Sequence, residues 1–136
     1  MSYLLDTNVC IALINLSSAN VRARFVQAAR RKAPIATSAI VAHELWYGVA
    51  KSQLVTRNAQ ALTAFLSRDI AMLDYSERDA QAAGEIRAEL EAKGTRIGEY
   101  DTLIAGQAFA RNLILVTANT SEFARVKGLI VEDWTI

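Results

Sequence analysis

Five polar residues sit inside or beside apolar stretches of this 136-residue chain: Asp6, Glu44, Asp101, Asn119 and Glu122. Asp6 follows Leu4 and Leu5 and precedes the apolar run from Val9 to Ile14. Glu44 lies in "AIVAHELWYG", flanked by Val41 and Leu45. Asp101 opens "DTLIAGQAFA", and Asn119 and Glu122 follow "LILVT" in "ANTSEF". Carboxylates are seldom withdrawn from water unless they are paired or hold a cation. Several of them brought together would repel one another, and a divalent ion removes that repulsion. Donors that are oxygen alone favour Mg²⁺ or Mn²⁺ over zinc.

Each acid also has a plainer reading. Asp6 and Asp101 suit helix N-caps, although Val9 and Ile104 stand where a capping box needs Glu or Gln. Glu44 suits a salt bridge, and Glu122 a solvated first helical turn. Other chemistries find less support. "HELWY" has Tyr47 where a zinc-protease motif needs its second histidine, and His43, the only histidine, reads as structural or exposed. No Gly-rich phosphate loop precedes a helix, and no Ser–His–Asp set stands out. A phosphatase with an aspartyl nucleophile needs a second Asp two places after the first, and Asn8 is there.

The elements that must position these residues follow from periodicity and punctuation. Residues 3–5 read as a strand and 7–15 as a helix. Residues 19–32 read as a second helix with Val21, Phe25, Ala28 and Ala29 on one face. A short strand covers 34–38, and Ser38 is placed to cap a helix over 39–52. A helix over 56–67 and a strand over 70–75 follow. Residues 76–94 read as a helix with Ala80, Ala83, Ile86 and Leu90 inward and Gly94 as its stop. The helix over 101–112 is apolar almost all round and is expected at the centre. A buried strand over 113–117 and an edge strand over 129–134 complete the chain. Strands alternating with helices predict an α/β fold with a parallel sheet covered on both faces. Sites in such folds form just beyond the carboxyl ends of the strands, which is where Asp6 falls.

Composition adds limits. The length predicts one domain over 1–136, and a 52% hydrophobic content allows a well-filled core. A net charge of +1 gives no overall attraction to nucleic acid, so any such binding needs a local patch. The single cysteine, Cys10, excludes an internal disulfide. No apolar run reaches ~18 residues, and no signal-peptide pattern opens the chain, so a cytoplasmic, reduced setting with no membrane span is expected.

With Asp6, Glu44, Asp101 and "VTANTSEF" in view, the chain resembles the PIN-domain nucleases, and more narrowly the VapC toxins of bacterial toxin–antitoxin pairs. The resemblance runs nearly end to end, through "LLDTN", "SAIVAHELWYG", "IRAELEAKGTRIGEYDTLIAG", "LILVTANTSEF" and the terminal "EDW". It implies a PIN-like α/β/α sandwich and a Mg²⁺-dependent (or Mn²⁺-dependent) endoribonuclease. Asp6, Glu44 and Asp101 match the family's three core acidic positions. The fourth position, after the fourth strand, falls on either Asn119 or Glu122. Thr7 and Asn8 match the polar pair after the first Asp, Thr7 to offer its hydroxyl and Asn8 to hold a carboxylate. "KSQ", "IRAEL" and "VTANTSEFARVKGL" are similar to the VapC subgroup that cuts initiator tRNA in the anticodon stem-loop.

The resemblance also implies a homodimer and a VapB-type antitoxin that blocks the acidic pocket, often with an Arg or Lys. Water attack on a phosphodiester at such a site leaves 5′-phosphate and 3′-hydroxyl ends, whereas attack by the 2′-hydroxyl leaves a cyclic phosphate and needs no metal. Arg22, Arg24, Arg30, Arg31, Lys32, Lys51, Arg57, Arg87 and Arg96 are candidate RNA-backbone contacts, with a solvated helix face as the plainer reading. Trp46 and Tyr47 suit a core or subunit interface better than base stacking. Two other functions stay open: a PIN nuclease acting on other RNA or on DNA, and a catalytically inactive PIN module that binds RNA or a partner.

Overall fold

The computed structural model describes all 136 residues, Met1 to Ile136. The chain runs β1 (Tyr3–Leu5), α1 (Thr7–Asn15), α2 (Ala19–Arg30), β2 (Ile35–Ser38), α3 (Ala39–Ala50) and α4 (Val55–Leu66). It continues through β3 (Ala71–Leu73), α5 (Glu77–Ala92), α6 (Glu99–Ala110), β4 (Ile114–Val116), α7 (Thr120–Phe123) and β5 (Val131–Glu132). All strand pairs are parallel, in the order β3-β2-β1-β4-β5.

Every residue of β1, β2 and β4 is buried. Successive strand side chains point to opposite faces, so helices must cover both sides of the sheet. Strands β3 and β5 form the edges and are at most half-buried. That is why the stretches 70–75 and 129–134 yield only Ala71–Leu73 and Val131–Glu132 as strand. Leu4, Leu5, Val21, Val41, Ile104, Leu115 and Val116 make the heart of the core. Trp134 closes one end, edge-on to Tyr3 with ring centroids 5.2 Å apart.

The strand order places the site. From β1 the chain steps to one side for β2 and β3, then returns to the other side for β4 and β5. The reversal lies between β1 and β4, which pair from Tyr3–Ile114 to Leu5–Val116. Helices leaving adjacent strands in opposite directions open a crevice at the carboxyl ends there.

Helix α6 is as central as its composition suggested, with Thr102 and Ile104 through Ala108 buried. It begins two residues earlier than the sequence reading placed it, at Glu99. Gly98 is the N-cap, and its carbonyl accepts both the amide and the hydroxyl of Thr102 at 2.9 Å. Helix α5 packs closely on α6. A Cβ added at Gly106 would lie 2.6 Å from the Ala83 backbone, so this crossing needs glycine. Helix α5 starts with a capping box between Ser76 and Asp79, a pairing the sequence reading did not pick out. It stops at Gly94 as expected, where φ is +66°. There the amide of Gly94 reaches the Glu91 carbonyl at 3.0 Å and that of Thr95 reaches Leu90 at 2.9 Å. Two expected inward residues, Ala29 and Ala80, are exposed, since their helices turn a narrower face to the core. No single helix is long and apolar enough to cross a membrane.

Candidate active site

The crevice between β1 and β4 gathers side chains from four elements. Asp6 leaves β1 in extended conformation and is the N-cap of α1, with Oδ1 accepting the Val9 amide at 2.9 Å. The cap reading therefore holds, and Asp6 stays buried at 7% exposure while it caps. Burial pushes its carboxyl above the ordinary range; the Thr117 hydroxyl and the Val9 and Asn8 amides pull it back, and Glu44 pushes it up again.

Glu44 comes from the middle of α3, which Ser38 starts by accepting the Ile40 amide at 3.0 Å. None of the chain's salt bridges includes Glu44, so the ion-pair reading has no partner. Instead the Thr7 hydroxyl donates to Glu44 Oε1 at 2.7 Å, tying the first turn of α1 to α3. Asn8 is exposed, and no hydrogen bond from its side chain reaches a carboxylate. Thr7 thus does what the sequence reading gave to Asn8.

Asp101 stands in the first turn of α6, without a capping bond, so its cap reading does not hold. A helix N-terminus favours an anion there. Crowding wins nonetheless. Burial comes first, then the charge and hydrogen bond of Glu122, then Glu44 and Asp6, and together they push Asp101 up to about 6. Glu44 thus bears on Asp6, and Glu122, Glu44 and Asp6 all bear on Asp101.

Glu122 and Asn119 come from the turn after β4. The Asn119 backbone amide donates to Thr117 Oγ1 at 3.0 Å. Its side-chain NH₂ donates to Glu122 Oε2 at 2.7 Å and reaches Asp101 Oδ2 at 3.5 Å. Asn119 bridges two acids, Asp101 and Glu122. Thr117, fully buried beside Asp6, is a site residue the sequence reading missed. Its signal was the one that exposed Asp6: a polar residue closing the apolar strand stretch "LILVT".

No lysine, arginine or histidine offsets these charges by a salt bridge. The donor set is oxygen throughout, as a hard divalent cation requires. The acids do not close into a ready-made cage of three ligands. An ion here would take one or two carboxylates directly and water elsewhere, which is the coordination Mg²⁺ prefers. Behind the pocket, Cys10 Sγ lies 3.7 Å from Thr37 Oγ1, and burial pushes its thiol up to about 12, so it stays protonated.

Other candidates lie elsewhere. Arg24 pairs with Glu132, and Arg87 with Glu91. Trp46 and Tyr47 are 41% and 60% exposed, so neither packs into this chain's core. A groove between α1, α3 and α4 is lined by Ile11, Ile14, Leu45, Val49, Leu54 and Leu62, with Glu44 and Arg57 among its polar residues.

A partly buried acidic crevice at the turning point of a short parallel sheet defines the class. The chain belongs to the PIN-domain family, whose description matches residues 3–129. Within it, the chain is 44% identical over 135 residues, 99% of each chain, to the tRNA(fMet)-specific endonuclease VapC of Shigella flexneri. It is 43% identical over 134 residues, 98% of each chain, to ribonuclease VapC2 of Rickettsia felis. The fold is similar to the crystal structure of VapBC2 from Rickettsia felis bound to a promoter DNA fragment, with a TM-score of 0.92 and 42% identity over 98% of this chain and 99% of that one. DNA-bound VapBC from Salmonella typhimurium gives 0.90 and 41% over 98% of both chains.

Proposed function

We propose that this chain is the toxin of a type II toxin–antitoxin pair: a divalent-metal-dependent endoribonuclease that cuts the anticodon stem-loop of initiator tRNA and is silenced by a VapB-type antitoxin. The observation that carries this reading is the shared crevice of Asp6, Glu44, Asp101 and Glu122, whose mutual repulsion no protein cation relieves. The substrate and the antitoxin rest on the relatives, which are named for tRNA(fMet) and solved as VapBC complexes.

Asp6, Glu44 and Asp101 would hold Mg²⁺ or Mn²⁺, one or two of them directly and the rest through water, and the ion would supply Lewis-acid charge and make water nucleophilic near neutral pH. The chain's own residues do the rest. Asp6 is fixed by the α1 amides, and Glu44 by the Thr7 hydroxyl. Asn119 holds Glu122 beside Asp101, setting the distance between two acids that would otherwise separate. Such fixed carboxylates explain how the chain manages without a catalytic histidine. Water attack on the scissile phosphodiester leaves 5′-phosphate and 3′-hydroxyl ends. The apolar groove of α1, α3 and α4 opens on Glu44 and suits an antitoxin segment that ends in a basic residue over the acids.

The test uses purified protein with initiator and elongator tRNAs, followed by sequencing of the RNA ends. Cleavage confined to initiator tRNA, stopped by EDTA and restored by Mg²⁺ or Mn²⁺, is the expected outcome. EDTA-resistant cleavage or cyclic-phosphate ends would overturn the chemistry, and cutting of every RNA supplied would overturn the specificity.

A further inference from the structure

Glu44 and Asp101 each carry an aromatic neighbour in sequence, His43 and Tyr100. Adjacent residues on a helix point about 100° apart, so a helix that turns its acid into the crevice turns its neighbour onto the rim. The two rims meet. His43 Nε2 lies 3.3 Å from the Tyr100 hydroxyl, and the rings sit 5.5 Å apart at 47°. Tyr100 is 47% exposed, and His43 is exposed beside it. The face of α3 that begins with His43 continues at four-residue spacing through Tyr47 to Lys51. Lys51 Nζ lies 4.8 Å over the Tyr47 ring. Four residues of helix advance ~6 Å, room for one unstacked nucleotide per step.

Aromatic rings usually go inside, as Tyr3, Phe65, Phe123 and Trp134 do here. The only large exposed aromatics are Trp46, Tyr47, Tyr100 and Phe109, and three of these four stand on α3 or the first turn of α6, the two helices that supply Glu44 and Asp101. The stripe has a cation, Lys51, at its far end. Flat π faces combined with a cation are the means by which single-stranded RNA is held, base on ring and phosphate on lysine.

We propose that His43, Tyr100 and Tyr47 form a stacking platform for unpaired bases beside the scissile phosphate, that Lys51 contacts a phosphate at its end, and that this platform selects the loop that is cut. The inference rests on the ribonuclease reading and adds to it the residues that hold the substrate.

The experiment compares wild type, Tyr100→Ala, Tyr100→Phe and Tyr47→Ala on an anticodon stem-loop RNA and on versions abasic at one loop position at a time. Binding is read by anisotropy in an Asp6→Asn background, which needs no cleavage, and KM and kcat are read in the active protein. Tyr100→Ala should weaken binding and raise KM about tenfold or more, with kcat little changed, and Tyr100→Phe, which keeps the ring, should recover most of that loss. One abasic position should weaken wild type by a similar factor, and Tyr100→Ala should add nothing on that RNA. Additive losses at every position, a loss confined to kcat, or a change of oligomeric mass in Tyr100→Ala would overturn the platform. Absence of cleavage by wild type with normal loop binding would overturn the ribonuclease reading and leave the platform standing.

Discussion

Asp6 serves two ends with one carboxylate. It caps α1 through Oδ1 and lends its charge to the crevice. These roles separate by substitution, because asparagine caps as well as aspartate but brings no charge. Asp6→Asn should leave the thermal unfolding temperature within a few degrees of wild type. Its cleavage rate should fall by more than the ~10–100-fold that follows loss of a mere ligand-orienting partner. A rate near wild type, measured on initiator tRNA with Mg²⁺, would remove Asp6 from the site. Asp101 makes a different prediction. Its carboxyl is raised to about 6 from an ordinary 3.8, so the folded protein binds this proton more tightly than the unfolded chain does. Stability from that proton is full below about 3.8 and is lost as pH rises through about 6. Metal-free wild type should therefore melt at a higher temperature at pH 5 than at pH 7. Asp101→Asn should flatten that difference, as read by calorimetry in EDTA.

The helices act as mounts for these acids. Helix α6 carries Asp101 and is locked to α5 at its other end by a network built on the buried Asp79. Arg111 grips Asp79 through two hydrogen bonds, of 3.2 and 2.9 Å, and reaches the Asp74 carbonyl at 2.7 Å. Gln107 adds bonds to Asp74 and Asp79, and the Tyr75 hydroxyl donates to Leu103 at 2.8 Å. Burial alone would raise the Asp79 carboxyl, but Arg111 and the Ser76 amide outweigh it and hold it below the usual range. Removing the cation would strand a carboxylate that is 1% exposed. Arg111→Met should cost about 3–5 kcal/mol in urea unfolding, the usual penalty for half of a buried pair. A loss under about 1 kcal/mol would show that water reaches Asp79 when the arginine leaves.

On the scale of the whole molecule, four separate segments must fold before the crevice exists, and the apo crevice works against that folding. Relief by an ion should therefore appear as stability. Millimolar Mg²⁺ should raise the unfolding temperature of wild type, since a ligand of the folded state alone stabilises by mass action. The shift should shrink or vanish in Asp101→Asn; an equal shift in both proteins would place the ion elsewhere. The topology makes the crevice possible. Because β2 and β4 lie on opposite sides of β1, the helices after β1 and β4 part and leave room between them.

Local sequence was enough for every element but the short α7, and for the acids. A polar residue breaking an apolar run is legible without a structure, and it pointed to Asp6, Glu44 and Asp101, the first and last of which stand 95 positions apart in the sequence. Gly94 and Ser38 marked a helix end and a helix start, because their chemistry acts on neighbours in the chain. Contacts between distant segments decided the rest. Whether Thr7 or Asn8 would hold Glu44 depended on how α1 rotates against α3, and a rotation of one residue, about 100°, exchanges the two. Asn119 became a bridge between Asp101 and Glu122 only once the turn after β4 lay beside α6. Thr117 and the His43–Tyr100 pair stayed hidden for the same reason: a side chain's role in a crevice is fixed by what faces it, and only tertiary packing decides that.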